Sequence, residues 1–339
     1  ITYNGRFNPR LTPPGTGGGK TVLFNAHTDV VPPSEGQTSP WEPILDGDTL
    51  RARGACDDKG PLACLYLVFR ALRQLREPLA GHVIAHWVCE EENGGNGSLA
   101  MVRRGEKADA CIVMEPSDGK LFTSIRGAVW FRLVFTGKAG HSGLAGRTRS
   151  ALLMARDAIA ILERYHAELL AASRGLPLFD AYPNPMPITF GRLQAGNWPA
   201  AAPSQATLEG VLGFLPNTTK EDVCRGMRRA LLDAGVFSDN DLDLTFMYRH
   251  DCSVVDPAQA LPSALLQAGE RAGRPLAIDA MTASCDAWLY TNQLGIPSVV
   301  YGPGSLAVAH SKDEHIRMTD IAASAAVLLH FLTDYCCSA

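Results

Sequence analysis

The 339 residues are 46% hydrophobic and 19% charged, with a net charge of −4 when His is neutral, the balance of an ordinary folded chain rather than a disordered one. That charge argues against a nucleic-acid surface, no apolar run approaches the ~20 residues of a membrane span, and the N-terminus lacks the charged-then-apolar pattern of a secretion signal. Nine cysteines without CxxC pairs read as reduced thiols of a cytoplasmic protein, not as a disulfide framework.

Residues 1–20 are rich in Pro and Gly and predict an extended piece and a turn. Within them PPGTGGGKT resembles a phosphate-binding loop, but the first required Gly is replaced by Pro14. A strand follows the segment rather than a helix, which also excludes that reading. TVLFNAH (21–27) predicts a buried strand, and residues 28–54 a long loop with short strands. PLACLYLVFRALRQLRE (61–77) has the 3.6-residue period of a core-facing helix. GHVIAHWVCE predicts a strand, Ser98 to Arg104 a short helix, and ADACIVME (108–115) a further buried strand. Strand and helix thus alternate over the first 115 residues, the pattern of a largely parallel sheet flanked by helices.

The pattern changes near residue 121. LFTSIRGAVWFRLVFTG (121–137) predicts two strands or one long bent one. A helix over 149–172, strands at 187–195 and 206–214, a helix at 219–234 and a strand at 243–249 complete a small α+β unit with an antiparallel sheet. Alternation then resumes with helices at 261–273 and around 284–294, a strand at 296–302 and a C-terminal helix from Thr319. The expectation is an α/β domain from residues 1–122 and 250–339, with an α+β domain, 123–249, inserted into it.

Polar residues gather at the expected strand ends of the outer domain. NAHTDVVP places His27 and Asp29 there, RGACDDKG places Asp57 and Asp58 before a helix, and CEEENGG places Glu90, Glu91 and Glu92. IVMEPSD adds Glu115, and VAHSKDEHI adds His310 and His315. Each segment alone has a commonplace reading: a hydrogen-bonded His, a turn, a solvated acidic run, a helix start. Together they point to one place, because ligands of open parallel sheets bind outside the carboxyl ends of the strands. Imidazoles with carboxylates suit zinc, cobalt or manganese. The donors are too many for one tetrahedral ion and fit two, about 3.5–4 Å apart and bridged by a carboxylate. Such a pair also supplies the positive charge that three adjacent glutamates need.

HTDVVP, GACDDKG, EEENG, VMEPS, GHSG and AHSKDE, in that order, resemble the motifs of the di-zinc amidohydrolases, the family of acetylornithine deacetylase, succinyl-diaminopimelate desuccinylase, aminoacylase and carboxypeptidase G. The resemblance covers nearly the whole chain. It implies a catalytic α/β domain and an inserted lid that forms a homodimer. It implies His27 and Glu115 on one metal, Glu92 and His310 on the other, and Asp57 bridging the two. Asp29 would orient His27, and Glu91 would be the general base, with Glu90 as the alternative one residue away. His141, in KAGHSG, would stabilise the oxyanion in a partner subunit, and Asn197, in GNWP, would meet the substrate. Relatives place tens of residues before the HTD segment, whereas 26 precede His27 here and the chain starts at Ile1, so an N-terminal truncation is expected.

The resemblance implies hydrolysis of an amide in an N-acyl amino acid or small peptide. Trp288 stands in SCDAWLY where relatives often carry Arg, and no Arg occurs between Asn197 and Arg225. A bidentate Arg clamp on a carboxylate is not replaced by Trp, so an acyl or peptide substrate with an apolar or aromatic portion is expected rather than a strict desuccinylase substrate. A dipeptidase or carboxypeptidase of the same family, a metal-binding relative without activity, and a metal-dependent aminopeptidase on a related sheet are the competing readings. The inserted domain bearing His141 speaks against the last.

Overall fold

The run TVLFNAH forms the strand Thr21–His27, buried from Val22 onward on both faces. A strand without a solvated face belongs in the middle of a covered sheet. It pairs in parallel with His82–Val88 on one side and with Ala110–Val113 on the other. Ser298–Val300 continues the parallel set beyond Ala110–Val113. In the computed structural model, which describes residues 2–337 except 4, 5, 13–15, 75–78, 144 and 145, this sheet has eight strands. Its flanks are antiparallel: Arg10–Leu11 pairs with His82–Val88, and Lys120–Ile125 pairs with Ser298–Val300 and Ser253–Val254. Pro14 and residues 75–77 of the expected helix lie outside the described residues.

The chain divides into two units, Ile1–Ile125 with Ser253–Met281 and Cys285–Ala339, and Arg126–Cys252 with Thr282–Ser284. In the first, helix Gly60–Leu72 begins with Pro61, whose missing N–H is harmless in a first turn. Its buried face, with Cys64, Leu65, Val68 and Leu72, shares one core with Val22 and Phe24 of the sheet and Leu328 and Phe331 of helix Met318–Tyr335. Residues 28–54 contribute Ile44–Asp46 and Thr49–Arg51, which join His315–Arg317 in a small antiparallel sheet.

In the second unit the antiparallel order is Ile188–Ala195, Gln205–Phe214, Gly127–Thr136, Leu242–His250. Val129, Phe131, Leu133 and Phe135 alternate into a core shared with helices Ala151–Ala172 and Lys220–Asp233. The second helix starts at Thr219, whose hydroxyl accepts from the Asp222 N–H at 3.2 Å.

The stretch 121–137 resolves into two strands of different sheets, Lys120–Ile125 and Gly127–Thr136, interrupted at Arg126. Strand Ala277–Met281, parallel to Lys120–Ile125, was not expected from the sequence. No helix among the described residues is long and apolar enough to cross a membrane.

Candidate active site

The parallel strands deliver their chemistry at their carboxyl ends. His27 is the last residue of its strand and is 1% exposed. Beyond His82–Val88 the chain turns through Glu90, Glu91 and Glu92, with Glu90 in the left-handed region at φ 61°. The turn closes where Gly95 N–H donates to the Glu90 carbonyl at 2.9 Å. Glu115 follows Ala110–Val113 by two residues and is buried. Asp57 lies in the turn Ala55–Lys59 that enters helix Gly60–Leu72. His310, at φ 58°, sits on the loop between Ser298–Val300 and His315–Arg317.

These side chains converge. Asp57 Oδ1 lies 2.8 Å from His27 Nε2, and Asp57 Oδ2 lies 3.1 Å from His310 Nε2. Glu92 Oε1 is 3.0 Å from the same His310 nitrogen. Donor atoms of His27, Asp57 and Glu92 all fall within 4.8 Å of one another, as do those of His27, Glu91 and Glu115. Two ligands of one tetrahedral zinc, each bonded at 2.0–2.1 Å, stand roughly 3.3 Å apart, close to the spacings found here. The donor set therefore fits a divalent cation. Glu90 points elsewhere, its Oε2 accepting from Asn96 Nδ2 at 3.2 Å. His315 belongs to neither donor group among the described residues; its Nδ1 meets the Asp313 carbonyl at 2.7 Å.

Three further carboxylates hold the backbone that carries these donors. Asp29 accepts from the N–H groups of Glu91 and Glu92, both at 3.2 Å. Its main-chain carbonyl meets His27 Nδ1 at 3.1 Å, nearer than its carboxylate at 3.6 Å. Asp58, fully buried, accepts from the His27 N–H at 2.9 Å. Glu314 accepts from Gly54 N–H at 3.0 Å, Cys56 N–H at 3.1 Å and Asp57 N–H at 3.0 Å, and it faces buried Arg53. A carboxylate that accepts several N–H groups fixes a loop at defined geometry. Sequence reasoning gave Glu314 no role, and it missed Asp286 altogether. Asp286 is fully buried and stands where a side chain on Gly95 would collide with it. An acid inside the apolar run SCDAWLY was the available signal for it.

The electrostatics describe a site short of positive charge. Burial pushes the His27 pKa down, but the Asp29 and Asp57 carboxylates outweigh it and hold it well above the usual imidazole value. Hydrogen bonds to Asp57 and Glu92 raise His310 to about 10. Burial raises Glu91, helped by the charges of Asp286, Glu92 and Asp57. Burial likewise raises Glu115, helped by Asp57 and Glu91. Asp57 is held below its ordinary value by the two imidazoles, against the effect of burial. The crowded acids thus favour the protonated forms of both imidazoles, and Glu91 and Glu115 hold their protons more tightly than usual, a demand for positive charge that a bound divalent cation would meet.

His141 and Asn197 belong to the second unit. Gly140–His141 pairs with Ala201–Ala202, and Ser142 N–H donates to the Ala200 carbonyl at 3.0 Å. Asn197 is exposed and lines a cavity of about 400 Å³ with Ser150, Leu152 and Trp198. Gly143 N–H donates to His141 Nδ1 at 3.1 Å. With Nδ1 accepting, the ring proton of neutral His141 sits on Nε2.

A sequence model described as peptidase family M20/M25/M40 matches residues 23–334. The chain belongs to this family. It is 26% identical to the N-formyl-4-amino-5-aminomethyl-2-methylpyrimidine deformylase of Bacillus subtilis, over 93% of this chain and 79% of that one. It is 32% identical to a succinyl-diaminopimelate desuccinylase of Methylobacterium sp., over 58% of this chain and 50% of that one. Among solved structures, an M20-family metallo-carboxypeptidase from Sulfolobus solfataricus superposes with a TM-score of 0.78 at 18% identity, covering 97% of this chain and 87% of the other. As an M20/M25/M40 member the protein is a hydrolase of amides, in a family where divalent metal use is typical.

Proposed function

We propose that this enzyme removes the acyl group from a small N-acyl amine or N-acyl amino acid, using two divalent cations, with zinc first among them and cobalt or manganese as alternatives. The observation that carries the reading is the Asp57 carboxylate, one oxygen toward His27 and the other toward His310. His27, Asp57 and Glu115 would hold one cation, and Asp57, Glu92 and His310 the other. Bound cations would lend Lewis acidity to the attacking water and the scissile carbonyl. Glu91 takes the proton of that water and returns it to the leaving amine. Its carboxylate lies within 4.8 Å of the His27 and Glu115 donors, whereas Glu90 pairs with Asn96, which supports this role over Glu90. Asp29 keeps the Glu91–Glu92 backbone in place. His141, with its proton on Nε2, donates to the oxyanion that forms in the partner subunit's site as the carbonyl is attacked. Asn197 binds the substrate beside it.

Two sequence features support an acyl group on a partner with an apolar or aromatic portion: Trp198, 68% exposed, next to Asn197, and Trp288, which stands where the family resemblance leads one to expect Arg. The deformylase relative, matched over 93% of this chain, has a name that supports the same direction. A homodimer through the second unit is supported by strand Ile188–Ala195, which lies at the edge of its sheet with Leu193 exposed. All nine cysteines are free, in keeping with a cytoplasmic setting.

The test is a panel of N-formyl, N-acetyl and N-succinyl substrates and dipeptides, presented to metal-reconstituted enzyme. Aromatic N-formyl and N-acetyl compounds should be cleaved fastest, and Glu91→Gln should lower the rate ~10²–10⁴-fold with metal content intact. Faster cleavage of dipeptides would make the protein a peptidase, and preference for succinyl-diaminopimelate would overturn the acyl assignment. Two bound metals without hydrolysis of any compound would make it an inactive relative.

A further inference from the structure

The two imidazoles of the site are held in different ways. His27 closes a central strand, in register with Val88, and its N–H is tied to buried Asp58. His310 stands on an irregular loop, its side chain half exposed and its backbone in the left-handed region. A non-glycine residue there is strained and persists only when its surroundings hold it. One such hold is Ser34, whose hydroxyl donates to the His310 carbonyl at 2.9 Å.

The direction of that bond is set by the next residue along. Arg53 Nη2 lies 2.7 Å from Ser34 Oγ, and a guanidinium can only donate. Ser34 Oγ therefore accepts from Arg53 and sends its own proton to His310. Arg53 is in turn fixed by Glu314, both side chains 1% exposed, and Glu314 holds the N–H of Asp57. A continuous path thus runs from the Asp57 backbone through Glu314, Arg53 and Ser34 to the His310 backbone. Gln37 Oε1 braces it, accepting from the Ser34 N–H and Arg53 Nη2, both at 3.1 Å.

We propose that Ser34 is a positioning residue for His310, so that affinity for the cation at Glu92 and His310 depends on Ser34 and affinity for the cation at His27 and Glu115 does not. The proposal rests on the two-cation reading above. Outer partners of metal ligands typically contribute 10–100-fold in affinity. Without the Ser34 hydroxyl, Arg53 keeps Glu314 and Gln37 as acceptors, so the Asp57 end of the path stays held while the His310 end is released.

The test titrates metal-free enzyme with Co²⁺, following visible absorption and bound metal per chain. Wild type should take up two equivalents. Ser34→Ala should bind the first with wild-type affinity and the second ~10–100-fold more weakly, and Ser34→Thr, which keeps a hydroxyl, should restore it. Two unchanged equivalents in Ser34→Ala, equal weakening of both, or failure of Ser34→Thr to restore the second would overturn the proposal. Fewer than two equivalents in wild type would instead overturn the two-cation reading, and the proposal with it.

Discussion

Replacing Glu314 by alanine removes one carboxylate that accepts from three backbone amides and pairs with a guanidinium out of contact with water. The Arg53 guanidinium is then left buried without a counter-charge. Breaking a buried pair from one side costs about 3–5 kcal/mol, and three amides without their acceptor, at about 1 kcal/mol each, place the expected loss at the top of that range. That is a large part of the 5–15 kcal/mol typical of a folded protein. At about 2.1 cal/mol/K of unfolding entropy per residue, about 1 kcal/mol moves the melting temperature of a 339-residue chain by roughly 1.4 °C, which predicts a fall of about 7 °C. Calorimetry of metal-free protein is the suitable assay, since lost metal binding then contributes nothing. Glu314→Gln, which keeps an acceptor oxygen but not the charge, should fall between. A Glu314→Ala melting temperature within about 2 °C of wild type would refute the reasoning.

Other outcomes follow from the same site. Asp286 has its pKa raised to about 6 from 3.8, chiefly by burial; the folded state then binds its proton more tightly than the unfolded state, so stability falls as pH climbs from about 4 through 6. Asp286→Asn should therefore stabilise metal-free protein at pH 8 by about 3 kcal/mol and have little effect near pH 4; equal effects at both would reject this. Cation binding at pH 7 should release protons, because His310, raised to about 10, and His27, also raised, must become neutral to ligate. Calorimetric titrations in two buffers of different ionisation enthalpy would show the release as a difference in heat, and identical heats would count against it. Gly95→Ala would place a methyl 2.3 Å from Asp286 Oδ1 at φ 73°, so kcat and melting temperature should both drop, and an unchanged kcat would mean the Glu90–Glu92 turn tolerates displacement.

The parts legible in the sequence were those with a local pattern. Thr21–His27 is a run of apolar residues ending in His27, and helix Gly60–Leu72 shows its period over three turns. His27, which ends its strand, and Glu115, two residues past Ala110–Val113, stand where such a run marks them, whereas Asp57 and His310 lie in loops that a run alone does not single out. Ala277–Met281 was not legible, because AIDAM is short and half exposed, and its pairing with Lys120–Ile125 is set by partners about 150 residues away. Glu314 escaped for the same reason: its amide partners lie about 260 positions upstream, and SKDE reads locally as a solvated loop. Asp29 was expected behind His27, and its carboxylate lies 3.6 Å from His27 Nδ1; that it also accepts from the Glu91 and Glu92 N–H groups of the next strand's turn is a pairing no spacing encodes.

The five proposed ligands project from the tips of the central strands or the loops beyond them. The ladder beneath is built from main-chain bonds alone, so it is indifferent to which side chain crowns it. Exchanging a ligand ought to silence the chemistry while leaving the scaffold intact, and an inert variant at His27 or Glu115 can then be interpreted as a statement about catalysis. The acids that grip the loops from below offer no such separation, since there architecture and reactivity fail together.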